Sequence, residues 1–335
     1  MPTIKDVARE AGVGIGTVSR VLNGRPRVAT TTRQRIKEAM ERLGYRPNPV
    51  AQGLRSRRTH LIEVLVPMFT RHFYVEVLRG IEIGLGTTDY GLVIRSIEKQ
   101  VDRDRAFANA GAHSYADGLL IVSLAPTDEL VARLQAARCP IVLVDAAYSG
   151  LSSVTIDHAT AAVAAVGHLL ELGHCRIALI DRQEDPFTAA RPSERQAGYR
   201  EALAGAGLPL YPAYEMVADF SPEAGLAALH TLLALPQPPT AIFVGSDAQA
   251  VGVLQGARQL GYRVPQDLSI VGYNDIELAP YLGLTTVRVP MGAMGQRGVE
   301  LLLAQLDEPQ QAPVQERLPA ELVLRATTGR PAMQG

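Results

Sequence analysis

Beyond residue 60 the chain alternates short apolar, β-prone runs with helical stretches, and that alternation restricts it to parallel sheets covered by helices on both faces. The predicted strands are Leu61–Pro67, Leu92–Arg95, Gly118–Val122, Ile141–Asp145, Cys175–Asp181, Ala241–Val244, Leu268–Val271 and Thr286–Val289, with a last one near Glu321–Leu324. Between them the helical pattern covers Tyr74–Leu85, Ala159–Leu172, Glu194–Ala206 and Ala248–Leu260. About 275 residues exceeds what a single core usually takes, so two doubly wound lobes are expected. No internal repeat is evident.

The first 58 residues follow different rules. They hold 13 Lys and Arg against 4 Asp and Glu, a formal +9, while the remaining residues hold 20 against 30, a formal −10. The near-neutral total therefore hides a basic head on an acidic body, the footprint of a polyanion binder. Ile4, Val7 and Ala8 share one stripe of a short helix beginning near Thr3, a candidate N-cap with Asp6 three residues on. Gly12 supplies a left-handed turn and Val13 a core plug. A second helix then runs from Ile15 to Leu22, turning Val18, Val21 and Leu22 inward and leaving Thr17, Ser19 and Arg20 outward, where a recognition helix meets a major groove. A third, about Thr31 to Leu43, closes the mini-core with Ile36, Met40 and Leu43. The string "GVGIGT" resembles a phosphate loop, but a helix precedes it where that motif needs a strand.

After Tyr45, Pro47 and Pro49 end the third helix. Val50, Ala51 and Leu54 then share a face beside Arg55, Arg57 and Arg58. So little apolar surface, weakened further by Gly53, orders only against a partner. An apolar side chain flanked by arginines has the composition of a minor-groove wedge.

In doubly wound folds ligands sit outside the carboxyl ends of the strands, here between the lobes. The residues at or after the ends of predicted strands are Phe73, Tyr74, Ser123, Asp145, Ser246, Asp247, Asn274 and Asp275, with Arg191 and Arg195 in "AARPSERQAGY" and Phe220 in "ADFSPEAG". Together they offer donors, acceptors and aromatic faces suited to a sugar. Arg195 and Asn274 stand out, because an unpaired arginine in a closing cleft requires an anionic or polyhydroxyl partner. Asp247 reads equally well as a helix N-cap, Asp275 as a loop tie, and Tyr74 as core or dimer interface.

Three strings in order, "TIKDVAREAGVGIGTVSRVLNG", "RLGYRPNPVAQGLRS" and "VPQDLSIVGYNDIELA", resemble the LacI/GalR family of bacterial transcription regulators along essentially the whole chain. The resemblance implies a helix-turn-helix head over 1–46, a hinge over 47–60 and a periplasmic-binding-protein-like effector and dimerisation domain over 61–330. Its lobe one would be about 61–157 with 290–318, and lobe two about 158–289 with 319–330. It further implies a homodimer reading a near-palindromic double-stranded operator through Thr3, Ile15, Gly16, Thr17, Ser19, Arg20, Asn23, Leu54 and Arg55, with Leu54 the wedge and Thr17 and Ser19 mainly backbone contacts. The effector set becomes Phe73, Ser123, Asp145, Arg191, Arg195, Phe220, Ser246 and Asn274. Three departures stand out: Gly14 replaces a capping serine, Ile15 and Gly16 replace larger base-reading side chains, and Asn274 replaces an acidic residue common in sugar-binding members. The operator sequence is accordingly not readable here, and a purine is the alternative effector.

Other chemistries lack support. His168 and His174 fall on different helical faces, and Cys139 and Cys175 have no zinc or redox spacing, which fits a reducing cytosol. No catalytic constellation, membrane-spanning run, apolar signal core or tetramerising leucine tail is apparent. The sequence thus predicts a cytoplasmic, cofactor-free, dimeric regulator without enzyme activity, a repressor of a carbohydrate-utilisation operon. A transport-type sugar-binding protein would account for the body but not for the head.

Overall fold

The computed structural model describes residues 2–22, 28–45, 58–109, 116–124, 126–135, 139–181 and 193–332. Asn23, Leu54, Arg55 and Arg191 lie outside the described residues. The chain divides into two compact units, Met1–His60 and Leu61–Gly335.

In the first unit, α1 (Ile4–Glu10), α2 (Ile15–Leu22) and α3 (Thr30–Leu43) enclose Val7, Ala8, Ala11, Val18, Val21, Ile36 and Ala39. The start of α1 is fixed by Asp6, whose Oδ2 accepts from the Thr3 backbone N–H at 2.9 Å and from its hydroxyl at 2.7 Å. Gly12 has φ +62°, the left-handed turn expected between α1 and α2. Gly14 begins α2 through its carbonyl, which accepts from Thr17 N–H at 2.8 Å. Arg35 of α3 donates to the carbonyl of Ala11, tying the third helix to the end of the first.

The second unit holds two six-stranded sheets. The first orders its strands β2-β1-β3-β4-β5-β11: β1 (Leu61–Val66), β2 (Gly91–Ser96), β3 (Gly118–Val122), β4 (Ile141–Val144), β5 (Ser152–Ile156) and β11 (Gln315–Leu318), all parallel. The second orders them β7-β6-β8-β9-β10-β12: β6 (Ile177–Asp181), β7 (Glu215–Val217), β8 (Ala241–Val244), β9 (Ser269–Asn274), β10 (Thr285–Arg288) and β12 (Glu321–Val323), with only β12 antiparallel. The helices are α4 (His72–Leu85), α5 (Gln100–Asn109), α6 (Asp128–Gln135), α7 (His158–Glu171), α8 (Glu194–Gly205), α9 (Pro222–Leu233), α10 (Asp247–Gln259) and α11 (Met291–Asp307). The central strands are buried throughout because both their faces are covered, which explains their uninterrupted apolar sequences.

Three strands escaped the sequence reading. β5 ("SSVTI") carries two serines, both buried. The Ser152 hydroxyl accepts from Gln305 Nε2 and from Val314 N–H, so it is satisfied by residues some 150 positions away. β7 is three residues long and β11 is a polar edge strand. The chain passes between the sheets after β5, after β10 and between β11 and β12.

Helices α4 and α11 cross almost backbone to backbone. A Cβ at Gly80 would sit 1.9 Å from the Gly292 carbonyl oxygen, and one at Gly295 would sit 2.1 Å from that of Val77. Only glycine permits this approach.

Candidate DNA-binding face and effector cleft

On α2, Val18 and Val21 are buried, while Ile15, Gly16 and Arg20 are exposed and Thr17 and Ser19 half-buried. The helix therefore presents one outward stripe from its first turn to its last. Ile15 is an apolar residue left 40% exposed at the N-terminal end, where a groove-reading helix makes its contacts. Thr3 is exposed and its side chain is engaged with Asp6.

The second constellation lies where strands of both sheets end. Ser123 after β3 (φ +50°), Asp145 after β4 (+57°), and Asn274 and Asp275 at the end of β9 (+107° and +57°) all hold left-handed backbone without being glycine. Such conformations cost about 1–3 kcal/mol each and persist where the surroundings impose them, typically at binding sites.

Ser123 Oγ donates to Asp145 Oδ2 at 2.5 Å. Asp145 Oδ1 lies 3.0 Å from His158 Nε2, and His158 Nδ1 lies 2.8 Å from the Tyr273 hydroxyl. Burial opposes the charge on Asp145, but hydrogen bonds and charge from His158, then Ser123 and Arg195, hold its carboxyl below the usual carboxylate range. With Asp145 ionised, Nε2–H must be the donor, and in the neutral ring Nδ1 then accepts from Tyr273. Because β4 belongs to the first sheet, β9 to the second and His158 opens the helix between them, this relay spans both lobes.

Arg195 approaches from α8. Its Nε and Nη2 donate to Asp181 Oδ1 at 3.2 and 3.0 Å, and its guanidinium lies 5.2 Å from the Tyr273 ring centre and 5.6 Å from that of Phe220. The expectation of an unpaired Arg195 is corrected: Asp181, the last residue of β6, is its partner. Phe220 also lies 5.8 Å from the guanidinium of Arg71, which pairs with Asp219 at 3.0 Å.

Of the residues expected at the cleft, Ser123, Asp145, Arg195 and Phe220 are thus joined through side chains that were not expected there: His158, Tyr273, Asp181 and Arg71. The contacts of Phe73 and Ser246 run elsewhere. Phe73 meets Tyr74 edge to face, and Tyr74 is core. The Ser246 hydroxyl caps α10, accepting from Gln249 N–H and donating to Gln249 Oε1, both at 3.2 Å. Ser246 thereby takes the capping role assigned to Asp247, whose buried carboxyl instead accepts from Ile276 N–H at 2.9 Å and Thr286 Oγ1 at 2.7 Å. Asp275 ties its loop to Arg288 and Arg325. His168 bonds Thr328, and His174 bonds Thr240, Ser269 and Gly329, so both histidines anchor the C-terminal segment. Among the described residues no group of His, Cys, Asp and Glu is placed to hold a metal ion, and no helix is long and apolar enough to cross a membrane.

A helix-turn-helix head followed by two doubly wound lobes with a polar cluster between them defines an effector-domain transcription regulator that binds DNA. Residues 3–48 match the bacterial regulatory proteins, lacI family, and residues 166–328 match the periplasmic binding protein-like domain. The chain is 38% identical over 305 residues to catabolite control protein A of Priestia megaterium, spanning 90% of this chain and 91% of that one. Two solved structures agree. The lac repressor dimer bound to operator and the anti-inducer ONPF is 30% identical with a TM-score of 0.87, covering 98% of this chain and 99% of that one. The transcriptional regulator CelR in its cellobiose complex is 32% identical with a TM-score of 0.70, covering 98% and 100%. The chain belongs to the lacI family of bacterial regulatory proteins.

Proposed function

We propose that the protein is a cytoplasmic, homodimeric repressor of carbohydrate-utilisation genes, whose hold on a near-palindromic operator is controlled by a small sugar or sugar derivative between its lobes. The observation carrying this reading is the lobe-spanning relay Ser123–Asp145–His158–Tyr273, flanked by Arg195 and Phe220. It supplies hydroxyl-binding donors and acceptors beside aromatic faces, and it joins residues of both lobes. The cellobiose complex of the similar CelR supports a sugar ligand.

The head is assigned to 1–46, the hinge to 47–60 and the body to 61–330, with lobes about 61–157 with 290–318 and 158–289 with 319–330. Thr3, Ile15, Gly16, Thr17, Ser19, Arg20 and Asn23 meet operator DNA from the head, and Leu54 and Arg55 from the hinge. Phe73, Ser123, Asp145, Arg191, Arg195, Phe220, Ser246 and Asn274 are assigned to the effector site, and His158 and Tyr273 are added to it. Neither a cofactor nor a catalytic step is part of this reading. Dimerisation is assigned to the apolar surface left exposed by Phe69, Val75, Ile83, Val93 and Ile94 of lobe one and by Leu278 and Tyr281 of lobe two.

Ligand binding changes the angle between lobes and so biases whether the paired hinges can order in the minor groove. The test is operator binding by the full-length protein, on sites isolated by selection from random duplexes, with a panel of sugars added. Leu54→Ala should weaken binding by a few kcal/mol through loss of the wedge. Selected sites without two-fold symmetry, or an affinity that no sugar alters, would count against the proposal.

A further inference from the structure

The charge of Arg195 in the cleft is countered from within the protein. Arg195 and Asp181 are both largely buried, at 14% and 7% side-chain exposure, and meet through two hydrogen bonds. Asp181 ends β6, which lies between β7 and β8, the point where the strand order of the second sheet reverses and where such folds bind ligands. The neighbouring strand is shaped to admit this carboxylate. Just past the end of β8, a Cβ on Gly245 would lie 2.4 Å from Asp181 Oδ1.

The charges around the pair point the same way. Asp145 faces the site from lobe one, and the nearby Arg71 is engaged by Asp219. Among the described residues, the carboxylates of Asp181, Asp145, Asp219 and Glu194 therefore accompany the guanidiniums of Arg195 and Arg71. A phosphate or carboxylate entering the cleft would lose its hydration to face a guanidinium that already has a counter-ion, and a second carboxylate at Asp145. A neutral polyol meets no such opposition. A guanidinium carries five N–H donors, of which Asp181 engages two, and Asp145 and Ser123 offer oxygens to hydroxyl groups.

We infer that Asp181 is a specificity-determining residue: as the built-in counter-ion of Arg195 it restricts the effector to an uncharged polyhydroxylated molecule and rejects phosphorylated analogues. This rests on the effector reading of the cleft given above.

The test uses the full-length protein and inorganic phosphate as probe, read as thermal stabilisation against sodium chloride at matched ionic strength. The wild type should show no stabilisation specific to phosphate. Asp181→Asn, which keeps the shape and removes the charge, should gain saturable phosphate binding by roughly tenfold or more, as expected when a close counter-charge is removed. Adding Arg195→Gln to that variant should abolish the gain. Asp181→Ser serves the same purpose should the asparagine variant fold poorly. Saturable binding of phosphate by the wild type that disappears in Arg195→Gln would overturn the inference, as would charge-neutral variants with no gain in phosphate affinity. Operator affinity without any effector, measured on the same samples, reports the regulator reading separately: its absence would overturn that reading while leaving the phosphate result to judge the role of Asp181.

Discussion

Asp247 makes the stability of lobe two sensitive to pH. The side chain is 1% exposed, and its two oxygens accept from Ile276 N–H and Thr286 Oγ1. Burial, assisted by the nearby charge of Asp275, pushes its carboxyl up to about 7 against the ordinary 3.8, despite those hydrogen bonds. Between these values the folded protein holds a proton that the unfolded chain has released. Stability from this group is therefore full below pH 4, falls as pH rises towards 7, and is flat above. Some three pH units at 1.36 kcal/mol each amount to about 4 kcal/mol. Asp247→Asn keeps the size and cannot ionise, at the cost of one acceptor, about 1–3 kcal/mol. The asparagine variant should thus be less stable than wild type at pH 4.5 and should recover by about 3–4 kcal/mol on moving to pH 7.5. Urea denaturation followed by circular dichroism at several pH values measures that difference. A difference constant to within about 1 kcal/mol across the range would show that Asp247 is ionised throughout and that its hydrogen bonds outweigh its burial.

Gly295→Ala drives a methyl group into the Val77 carbonyl and should cost about 1–3 kcal/mol or more, read as a lower melting temperature; an unchanged value would contradict the close helix crossing. Arg195→Ala removes a charged hydrogen-bonding group from the proposed effector site and should weaken effector binding by about 1.5–3 kcal/mol in calorimetry. An unaltered affinity would place Arg195 outside the site. DNA affinity should fall with salt along a log–log slope of several units, about 0.9 per phosphate neutralised, and Arg20→Ala should lower that slope by about one. A slope indifferent to Arg20 would move the phosphate contacts elsewhere.

Much of this architecture could be read from residue order, for identifiable reasons. Gly118–Val122 and Ala241–Val244 are strands buried on both faces, so their apolar runs coincide with the observed β3 and β8. Thr3, Asp6 and Gly12 announce the head because capping and left-handed turns are local chemistry. What resisted reading depends on distant partners. Ser152 and Ser153 look like a loop until Gln305 and Val314 satisfy the first of them. Asp181 looks like the polar end of an apolar strand, since its pairing with Arg195 exists only once α8 folds back over β6. His158 carries a usable signal, as a polar residue two positions after the end of β5. That signal was hidden because β5 itself was not recognised.

The three passages between the sheets have a mechanical consequence. β5 neighbours β11 at one margin of the first sheet, and β10 neighbours β12 at one margin of the second, so all three connections leave from the same side. Two plates joined along a single margin behave like the covers of a book: they swing about the spine and resist sliding or twisting. The head enters the body through β1, in the first sheet alone. Closure at the mouth of the cleft is then a rotation of one lobe against the other about that margin. Mutations along that spine should change how far a bound ligand is felt without touching the ligand itself.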